Sequence, residues 1–459
     1  MSNLHAIILA AGKGTRMKSE QPKVLHEIGG HPMLSYVIHA AAPLGAEIYT
    51  VVGHGAPLVE AAFAGQTHFA LQAEQLGTGH GVMQAIPHIP GEDGTVIVLC
   101  GDTPLLREET LRALLAHHKE KAAVCTVLTA EMADPKGYGR IIRGTGGGLK
   151  KIVEERDATV EEKAVREINS GVYCFSLTSL RKALSLLKND NDQGEYYLTD
   201  VLAYFVQEGL PVCGWRVEDA GEIAGINDRC QLALAEKALG RRKKEALMRS
   251  GVTLIDPDSV WVASDVEVGP DTIIEPQTIL RSGTQIGAGC RIGPMADISE
   301  SYIGDETTIR QSVLIEAKMG KNCNIGPFAY LRPGTILADH VKVGDFVELK
   351  KTEVGLGSKV PHHSYVGDTR IGAGVNVGCG TITCNYDGFH KYQTVIEDNV
   401  FIGSNTSLVA PVTIGKGAII AAGSVITADV PEDALGIGRG RQENLSKWAQ
   451  KFRKMKKKQ

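Results

Sequence analysis

Apolar and polar positions follow two different patterns in the two halves of the chain. Between residues 1 and 226, short apolar runs alternate with stretches of helical periodicity. The runs AIILA, IYTVV, VIVLC and VCTVL are apolar on both faces and predict buried strands, and MLSYVIHAAAPL and EETLRALLAHHKE predict helices between them. This alternation is typical of a parallel sheet covered by helices on both sides. The first half is therefore predicted to be an α/β domain.

From Val252 an aliphatic residue returns at every sixth position and is often followed by glycine. Each hexad predicts one short strand and one corner, with the aliphatic side chain inside and the small residue at the turn. The pattern therefore predicts a parallel β-helix, although the period alone does not give its handedness. The series runs through Val268, Ile274, Leu280, Ile286, Ile292 and Ile298, then, after a one-residue slip, Ile303, Ile309 and Ile315, and later Ile325, Leu331, Leu337, Val343, Leu349, Val360, Val366, Ile402, Leu408, Ile414, Ile420 and Ile426.

Residues 227–251 join the two halves. They combine helical periodicity with many charges, and Gly251 is a suitable stop, so we expect a connecting helix there. The predicted organisation is an α/β domain over residues 1–226, a linker helix over 227–251 and a hexapeptide domain over 252–459 that ends in a basic tail.

One segment of the second half, from Cys384 to Val400, breaks the period of six. A loop that leaves a solenoid is either plain surface or part of a binding face. This loop contains Asn385, Tyr386 and Lys391, which favours binding.

Charge and composition narrow the function. The net charge of −4 gives no overall basic field, which argues against a nucleic-acid partner. The basic tail from Lys451 to Gln459 is expected to be a solvated, disordered end. No apolar run is long enough for an integral membrane protein, and the N-terminal run lacks the basic flank of a signal peptide. Nine scattered cysteines without a CxxC pair suit reduced thiols in the cytoplasm.

The turn after the first predicted strand, LAAGKGTRMKSEQPKVL, is rich in glycine and cations. Gly12 and Gly14 allow backbone N–H groups to approach an anion, and Lys13, Arg16 and Lys23 can donate to phosphate. The spacing matches neither the Walker loop nor the GxGxxG dinucleotide fingerprint. A purely structural turn remains the alternative.

Asp102 follows the apolar strand VIVLC directly. A carboxylate at the end of such a strand needs a partner, and Mg²⁺ held jointly by protein and phosphate oxygens is one. The alternative is that Asp102 caps the next helix or turn.

Reactive residues also gather in the late hexads. The cations with a tyrosine suit a sugar phosphate, and a histidine suits a general base. Spacing cannot separate His362 from His363. The residues are Arg332, Lys350, His362, Tyr365, Asn376, Asn385, Tyr386 and Lys391.

The motifs LAAGKGTRM…PK, QAEQLGTGHG, GDTPLL, GYGRI, VEE, INSG and GIND resemble those of sugar-phosphate nucleotidyltransferases. With the hexads included, the chain resembles the bacterial bifunctional N-acetylglucosamine-1-phosphate uridylyltransferase/glucosamine-1-phosphate N-acetyltransferases from about residue 5 to about residue 440. The resemblance implies an α/β fold with a Rossmann-like nucleotidyltransferase domain and a left-handed β-helix. It also implies a cytoplasmic homotrimer.

For the first half, the resemblance implies uridylyl transfer from UTP to N-acetylglucosamine-1-phosphate with Mg²⁺. Arg16 and Lys23 would bind the triphosphate, and Asp102 and Asn227 would hold the metal. This chain departs from the family at Cys100, where a tyrosine is common. The implied nucleotide and sugar contacts are Leu9, Ala10, Ala11, Gly12, Lys23, Gln72, Gly77, Thr78, Cys100, Gly101, Asp102, Gly139, Glu154, Asn169 and Asn227.

For the second half, the resemblance implies acetyl transfer from acetyl-CoA to glucosamine-1-phosphate. His362, favoured over His363 by the motif alignment, would be the base, and Asn385 would orient the amine or the base. The implied sugar-phosphate residues are Arg332, Lys350, Tyr365, Asn376 and Lys391, and the implied acetyl-CoA residues are Cys379, Asn385, Tyr386, Ser404, Ala422 and Arg439.

Two other hypotheses stay open at this point. The chain could be a nucleotidyltransferase whose β-helix is only structural or regulatory, but the cluster of His362, Asn385 and Lys391 argues against it. A non-enzymatic scaffold would leave the glycine-rich turn and Asp102 without a role.

Overall fold

A computed structural model describes residues 4–191 and 193–457. The chain forms two compact units, Met1–Arg241 and Arg242–Gln459. Two residues of the basic tail, Lys458 and Gln459, lie outside the described residues. No helix of the described ranges has the length and apolar character needed to cross a membrane.

The first unit is built on a mixed sheet with helices on both faces. Its strands are β1 (Leu4–Leu9), β2 (Glu27–Ile28), β3 (His31–Pro32), β4 (Glu47–Val52), β5 (His68–Leu71), β6 (Thr95–Cys100), β7 (Cys125–Glu131), β8 (Arg140–Arg143), β9 (Leu149–Val153), β10 (Glu167–Ser176) and β11 (Val212–Arg216). Its helices are α1 (Met33–Ala41), α2 (Ala56–Ala62), α3 (Thr78–Ala85), α4 (Glu108–Glu120), α5 (Val160–Lys163), α6 (Leu177–Leu184) and α7 (Thr199–Gln207), with short 3₁₀ turns at Thr15–Met17, Lys23–Leu25, Ala42–Leu44, Ile86–His88 and Ala220–Ile223.

The sheet has the order β11-β7-β10-β6-β1-β4-β5. β1 pairs parallel with β4 and β6, as the sequence predicts, but β10 runs antiparallel between β6 and β7. The expectation of a purely parallel sheet is therefore wrong at β10. The antiparallel hairpin of β8 and β9 joins the sheet at Ile168, near the start of β10, where β8 pairs on one edge of β10 and β7 pairs on the other.

Both faces of this sheet are covered. Ile7 and Ile8 in β1 are fully buried, yet they belong to two separate apolar clusters. Because successive side chains of a strand point to opposite faces, the two clusters are the two layers between sheet and helices. The apolar runs of the sequence therefore correspond to strands buried on both sides, as predicted.

A long helix, α8 (Arg229–Arg249), occupies the region where the sequence predicts a helix over 227–251. The boundary between the two compact units falls inside it, at Arg241 and Arg242.

The second unit is a parallel β-helix of short strands, and the predicted hexapeptide solenoid is confirmed. A final helix, α9 (Trp448–Lys456), follows the coils. The strands are β12 (Thr253–Leu254), β13 (Trp261–Val262), β14 (Glu267–Val268), β15 (Ile273–Ile274), β16 (Ile279–Leu280), β17 (Gln285–Ile286), β18 (Arg291–Ile292), β19 (Asp297–Ser299), β20 (Tyr302–Ile303), β21 (Thr308–Ile309), β22 (Val313–Ile315), β23 (Lys318–Met319), β24 (Asn324–Ile325), β25 (Tyr330–Leu331), β26 (Ile336–Leu337), β27 (Lys342–Asp345), β28 (Glu348–Val354), β29 (Lys359–His362), β30 (Tyr365–Ile371), β31 (Asn376–Val377), β32 (Ile382–Cys384), β33 (Thr394–Ile396), β34 (Phe401–Ile402), β35 (Ser407–Val409), β36 (Val412–Ile414), β37 (Ile419–Ile420), β38 (Val425–Ile426) and β39 (Leu435–Gly436).

The strand register shows how the hexads are arranged as a prism. Ile274 pairs with Ile292, 18 positions later, so three hexads make one coil. The stacked aliphatic side chains form the apolar core of this unit. One predicted core position is wrong: Leu314, not Ile315, is fully buried and pairs with Ile298, because a second one-residue slip shortens that coil.

A second periodic feature lies two residues before each core position. Small side chains fill the corners there, and many of them are hydroxyl or thiol groups. Thr272 Oγ1, two positions before Ile274, donates to Gly287 O at 2.8 Å. Cys290 Sγ fills the equivalent place at 3.3 Å from Gly304 O. The free thiol of Cys290 therefore has a structural role, since it donates a hydrogen bond at a corner of the β-helix.

The tail after the coils differs from its prediction. Instead of a disordered end, residues 448–456 form α9, and every described residue of the helix is exposed. The physical reason is local: WAQKFRKMK holds no glycine, proline or β-branched residue and is rich in helix formers.

Candidate active sites

A pocket of about 270 Å³ opens at the carboxyl ends of β1 and β6. This is the edge at which open α/β sheets bind ligands. The pocket brings together ten predicted residues: Leu9, Ala10, Ala11, Gly12, Lys23, Gln72, Gly77, Thr78, Cys100 and Asp102. Gly101 lies between two of these lining residues, and its backbone N–H donates to Leu9 O at 2.9 Å.

The cations of the glycine-rich turn meet polar oxygen atoms at this edge. Lys23 Nζ donates to Asp102 Oδ2 and lies 3.2 Å from Asn227 Oδ1. Arg16 Nη2 donates to the same Asn227 oxygen at 2.9 Å. The structure thus joins side chains from three distant parts of the sequence. Asp102 does not cap the following helix, because α4 begins after Arg107.

Gly14 makes the close packing of this turn possible. Its φ is +58°, and a Cβ there would lie 2.6 Å from Lys23 Cβ. Gly12 is different, since a Cβ there would meet nothing within 4 Å. Glycine at position 14 is therefore required for the turn to fold. Glycine at position 12 is not required for packing and leaves open space in the wall of the pocket.

The opposite wall of the pocket is held by Gln72. Its Nε2 donates to Gly77 O at 3.0 Å and lies 3.1 Å from His80 Nδ1. Thr78 Oγ1 accepts from Leu198 N at 3.2 Å, which ties this wall to the start of α7. Gln75 and Glu195 also line the pocket. Sequence reasoning missed both, and no motif in the sequence pointed to Glu195.

The three predicted sugar residues lie together beside the pocket lining. Asn169 N donates to Gly139 O at 2.9 Å, and a Cβ on Gly139 would lie 3.5 Å from Glu154 Oε2. Burial raises the pKa of Glu154, and the carboxylate of Asp157 raises it further. The hydroxyl of Thr199 opposes the shift with a hydrogen bond.

Cys100 connects the two parts of this site. Its thiol donates to Gly171 O at 3.6 Å, in the irregular part of β10 that follows Asn169. Burial raises the pKa of the Cys100 thiol to about 12. A Cβ on Gly171 would lie 2.8 Å from the sulfur, so the thiol packs directly against this backbone.

In the second unit, the register of the coils separates the two neighbouring histidines. Asp345 in β27 pairs with His362 in β29, and Asp345 Oδ1 lies 2.6 Å from His362 Nδ1. This hydrogen bond lowers the pKa of Asp345. The ring of His363 instead packs on Phe346, with 4.9 Å between centroids. Asp345 was missed by sequence reasoning, because its partner is 17 positions away and in another hexad.

A cationic cluster lies on the neighbouring face. Lys350 interacts with Lys391 and lowers its pKa, while Asp368 and Tyr365 oppose that shift. Asn385 Nδ2 donates to Asp368 Oδ2 at 2.5 Å. The looped-out segment thus brings Lys391 to Lys350 and Asn385 to Asp368, which lies in the next coil.

Arg332 belongs to the same side of the coil stack. Its Nη1 donates to Glu348 Oε1 at 2.7 Å, and Glu348 pairs in register with Tyr365. Glu348 raises the pKa of Arg332, with smaller contributions from the Tyr330 and Tyr365 phenols. Glu348 and Asp368 were also missed by sequence reasoning, which looked for cations.

Four of the predicted acetyl-CoA residues follow one line along the stack. Gly380 N donates to His363 O, and Asn405 N donates to Cys379 O, so Cys379 stands one coil after the histidines. Gly423 N donates to Ser404 O, and Arg439 Nη1 donates to Ala422 O at 2.8 Å. The successive coils therefore present Cys379, Ser404, Ala422 and Arg439 in order.

Among the described contacts, Asn376 stands apart from the cationic cluster, and Tyr386 meets it through a backbone bridge to Lys391. Asn376 pairs with Lys359 and Phe401 on the sheet that carries His362. Tyr386 is exposed, forms a bridge with Lys391 and donates its hydroxyl to Gly388 O at 2.6 Å. Tyr386 therefore shapes the loop that positions Lys391.

Comparison with known proteins covers both units. The chain is 53% identical to "Bifunctional protein GlmU" of Carboxydothermus hydrogenoformans over 96% of this chain and 99% of that protein. It is 56% identical to the protein of the same name from Heliobacterium modesticaldum over 95% of this chain and 96% of the relative. The relative from Brevibacillus brevis is 49% identical over the whole of both chains.

The chain belongs to the GlmU family.

Family models for single domains agree with this assignment. The MobA-like NTP transferase domain matches residues 6–250. The GMPPB C-terminal domain matches residues 257–366, and the bacterial transferase hexapeptide model matches residues 393–428. The stretch of 367–392 between the last two matches contains the looped-out residues Asn385 and Lys391. In this GlmU family member, the segment that departs from the repeat is thus the one that completes the cationic cluster.

Proposed function

We propose that the chain makes UDP-N-acetylglucosamine, a nucleotide sugar of cell-wall synthesis, in two steps at two separate sites. The second unit transfers an acetyl group from acetyl-CoA to glucosamine-1-phosphate. The first unit then transfers a uridylyl group from UTP to the N-acetylglucosamine-1-phosphate and releases pyrophosphate. The observation that carries the proposal is that each unit holds its own reactive cluster, Lys23 with Asp102 in one and His362 with Asp345 in the other.

Acetyl transfer needs a base, because the sugar amine must lose a proton to become a stable amide. With Nδ1–H donated to Asp345, the His362 Nε2 keeps its lone pair for that proton. The amine nitrogen attacks the thioester carbonyl, the carbon–sulfur bond breaks, and the thiolate of coenzyme A leaves. The thiolate then takes the proton from His362.

The cationic cluster holds the sugar phosphate during this step. Lys350 and Lys391 are close enough to repel each other, so a dianion between them relieves that repulsion. Arg332 and Tyr365 extend the same surface, and Asn385 orients the amine. Ser404 contributes a donor to the thioester region, and Arg439 meets the phosphates of coenzyme A.

Uridylyl transfer requires positioning and charge stabilisation rather than covalent help. A phosphate oxygen of the acetylated sugar attacks the α-phosphorus of UTP, and the bond to pyrophosphate breaks. Lys23 and Arg16 stabilise the charge on the leaving group. Gln72 and the backbone of Leu9 to Gly12 hold the nucleotide, while Glu154 and Asn169 hold the sugar.

Mg²⁺ fits the oxygen atoms at this edge. Asp102 supplies a carboxylate and Asn227 an amide carbonyl, both hard ligands suited to this ion. Within the described residues, no three His, Cys, Asp or Glu side chains cluster as a metal site. Mg²⁺ commonly takes only one or two protein carboxylates and binds substrate phosphates as well, so Asp102 and Asn227 would hold it together with the nucleotide. The ion neutralises phosphate charge when bound. Lys23 contacts both oxygen ligands in this structure, and with the ion bound it would be available to the nucleotide.

Assembly and location belong to the same proposal. Hexapeptide repeats support self-association, and we propose a homotrimer whose β-helices pack side by side. Exposed apolar side chains on the outer strands, such as Val313 and Tyr330, suit such packing. The co-substrates and the unpaired described cysteines suit the cytoplasm.

The test is a product assay on the purified chain. Glucosamine-1-phosphate, acetyl-CoA, UTP and Mg²⁺ are supplied together and then omitted one at a time, while free thiol and pyrophosphate are measured. We expect thiol release without UTP and pyrophosphate release only with the acetylated sugar. Pyrophosphate from supplied N-acetylglucosamine-1-phosphate with no thiol under any condition would instead reduce the β-helix to a structural role.

A further inference from the structure

Helix α9 has an apolar face with no described cover. In α9, Trp448, Phe452 and Met455 are spaced four and three residues apart, so they lie on one face. Their exposed fractions are 54%, 44% and 70%. Trp448 and Phe452 stack at 5.1 Å, which makes a continuous aromatic surface.

The sequence of α9 and of the residues beside it is strongly basic. From Lys447 to the end of the chain there is no acidic residue, so nothing in the segment itself offsets the charge. The positive residues are Lys447, Lys451, Arg453, Lys454, Lys456, Lys457 and Lys458. This charge contrasts with the net charge of −4 for the whole chain.

We propose that α9 is an interfacial anchor that lies on the surface of a lipid bilayer rich in anionic headgroups. An aromatic face flanked by lysine and arginine is the pattern of helices that lie in the plane of a membrane interface. The tryptophan and phenylalanine rings enter the boundary between headgroups and acyl chains, and the cations remain among the phosphates.

The aromatic face distinguishes this partner from others with negative charge. A nucleic-acid backbone would engage the lysines but would leave Trp448, Phe452 and Met455 in water unless bases were unstacked. An acidic protein surface would need a matching apolar groove. A bilayer satisfies both features at once, because headgroup charge and apolar depth lie within the thickness of one helix.

The anchor stands apart from the catalytic residues. It follows Arg439, the last residue to which we give a role, and we assign no residue of α9 to either reaction. Attachment would therefore hold both active sites near a membrane without changing their chemistry. The inference goes beyond the proposed function and does not depend on it.

The experiment is co-sedimentation of the full chain with vesicles. One set contains phosphatidylcholine alone, and the other contains phosphatidylcholine with about one third phosphatidylglycerol. We expect binding to the anionic vesicles only, and about tenfold or greater weakening when salt rises from about 0.1 M to about 0.5 M. Equal binding to both vesicle types would overturn the proposal.

Three variants separate the contributions of charge and of the apolar face. A chain that ends at Asn444 removes α9, K451E/K454E reverses charge, and W448S/F452S removes the aromatic face. We expect each to lose at least about tenfold in vesicle affinity. The matched control K318E/K416E, with the same charge change on exposed lysines of the coils, should bind like the wild type.

Two outcomes would assign the helix to another partner and overturn the proposal. If W448S/F452S bound vesicles as the full chain does, the attraction would be electrostatic only, and tighter binding to single-stranded RNA would indicate a nucleic acid. If no variant changed binding to vesicles but the shortened chain had a lower mass in sedimentation velocity, the apolar face of α9 would be covered by a second copy of the chain. The product assay, run on the same variants, reports the proposed function separately.

Discussion

His362 Nδ1 lies 2.6 Å from the carboxylate of Asp345 across two adjacent coils of the β-helix. Neither residue belongs to the other's hexad, and the contact exists because the strand register places position 345 beside position 362. A carboxylate on one ring nitrogen fixes the tautomer and leaves the other nitrogen as the base. The hydrogen bond of the Asp345 carboxylate goes to His362, whereas the ring of the neighbouring His363 packs on Phe346.

The first prediction tests this pair. His362→Ala should lower kcat for acetyl transfer by about 10² to 10⁴-fold, the usual range for loss of a general base. Asp345→Asn should give a smaller loss, because the base remains but its orientation is weakened. Both variants should keep uridylyl transfer, measured as pyrophosphate release from supplied N-acetylglucosamine-1-phosphate.

His363→Ala is the matched control for the first prediction. Because its ring contacts an exposed phenyl group rather than a carboxylate, we expect most of the acetyl-transfer rate to remain. If the His363 and His362 variants lost equal amounts of acetyl-transfer activity, the assignment of His362 as the base would be wrong. Loss of both activities in His362→Ala with a folded chain would contradict the two-site proposal.

The second prediction concerns the two glycines of the nucleotide turn. Gly14→Ala should destabilise the first unit by about 1–3 kcal/mol, because φ is +58° and the new Cβ would lie 2.6 Å from Lys23 Cβ. Gly12→Ala meets no atom within 4 Å and should leave stability unchanged. It should instead raise KM for UTP, since Gly12 lines the pocket.

Thermal unfolding without nucleotide, together with UTP kinetics, distinguishes these two effects. Gly240→Ala, in the interior of α8, is a useful control because its new Cβ also meets nothing within 4 Å. A helix gains stability from that change, by up to about 1 kcal/mol. If Gly14→Ala were as stable as the wild type, the close packing of the turn would not matter in solution.

Much of the fold was predictable because it depends on local periodicity. The aliphatic residue at every sixth position defines the prism, and α4 spans Glu108–Glu120 as the sequence indicates. Two errors have a non-local origin. The antiparallel direction of β10 is visible only in its pairing with β6 and β7, and the burial of Leu314 depends on a slip that only strand pairing reveals.

The candidate sites show the same division. Motif residues such as Lys23 and Asp102 were predictable, and the structure brings them into contact. Whether they act as the resemblance implies is still a prediction. Two acidic residues of the sites were not predictable. Asp345 meets His362 only because the coils stack, and Glu195 reaches the nucleotide pocket from the loop before α7.

The third prediction concerns the paired ammonium groups of the β-helix. Lys350 lowers the pKa of Lys391 from its ordinary 10.5, so Lys391 loses its charge at a lower pH than a free lysine. Affinity for glucosamine-1-phosphate should therefore begin to fall on the alkaline side before pH 10.5. Lys391→Met should raise KM for this substrate at neutral pH and remove that part of the pH dependence.

Lys391→Met should weaken substrate binding but stabilise the fold. Both ammonium groups are charged below the folded pKa of Lys391, and their repulsion then destabilises the fold. Lys391→Met should therefore raise the unfolding temperature at neutral pH, and the difference should disappear as the pH approaches 10.5. Lys342→Met, on an exposed lysine of β27, should change neither quantity. Sugar-phosphate affinity unaffected by Lys391→Met would remove this residue from the site.

The fourth prediction concerns Glu154. Burial and the nearby Asp157 raise its pKa above the ordinary 4.5, so the folded unit disfavours the carboxylate. An acid with a raised folded pKa costs stability above its unfolded pKa, and that cost disappears as the pH falls to 4.5. Glu154→Gln should therefore be more stable than the wild type at pH 7, and the difference should shrink steadily toward pH 4.5.

The same carboxylate should make sugar binding sensitive to acid. A protonated Glu154 loses its strongest acceptor for a sugar hydroxyl, so KM for N-acetylglucosamine-1-phosphate should rise on acidification before ordinary carboxyl groups titrate. Glu154→Gln should have a high KM that hardly changes over this range. Glu161→Gln, on the exposed α5, is the control and should follow the wild type. If KM depended on pH in the same way in the wild type and in Glu154→Gln, the sugar would bind elsewhere, because the two proteins differ only at this side chain.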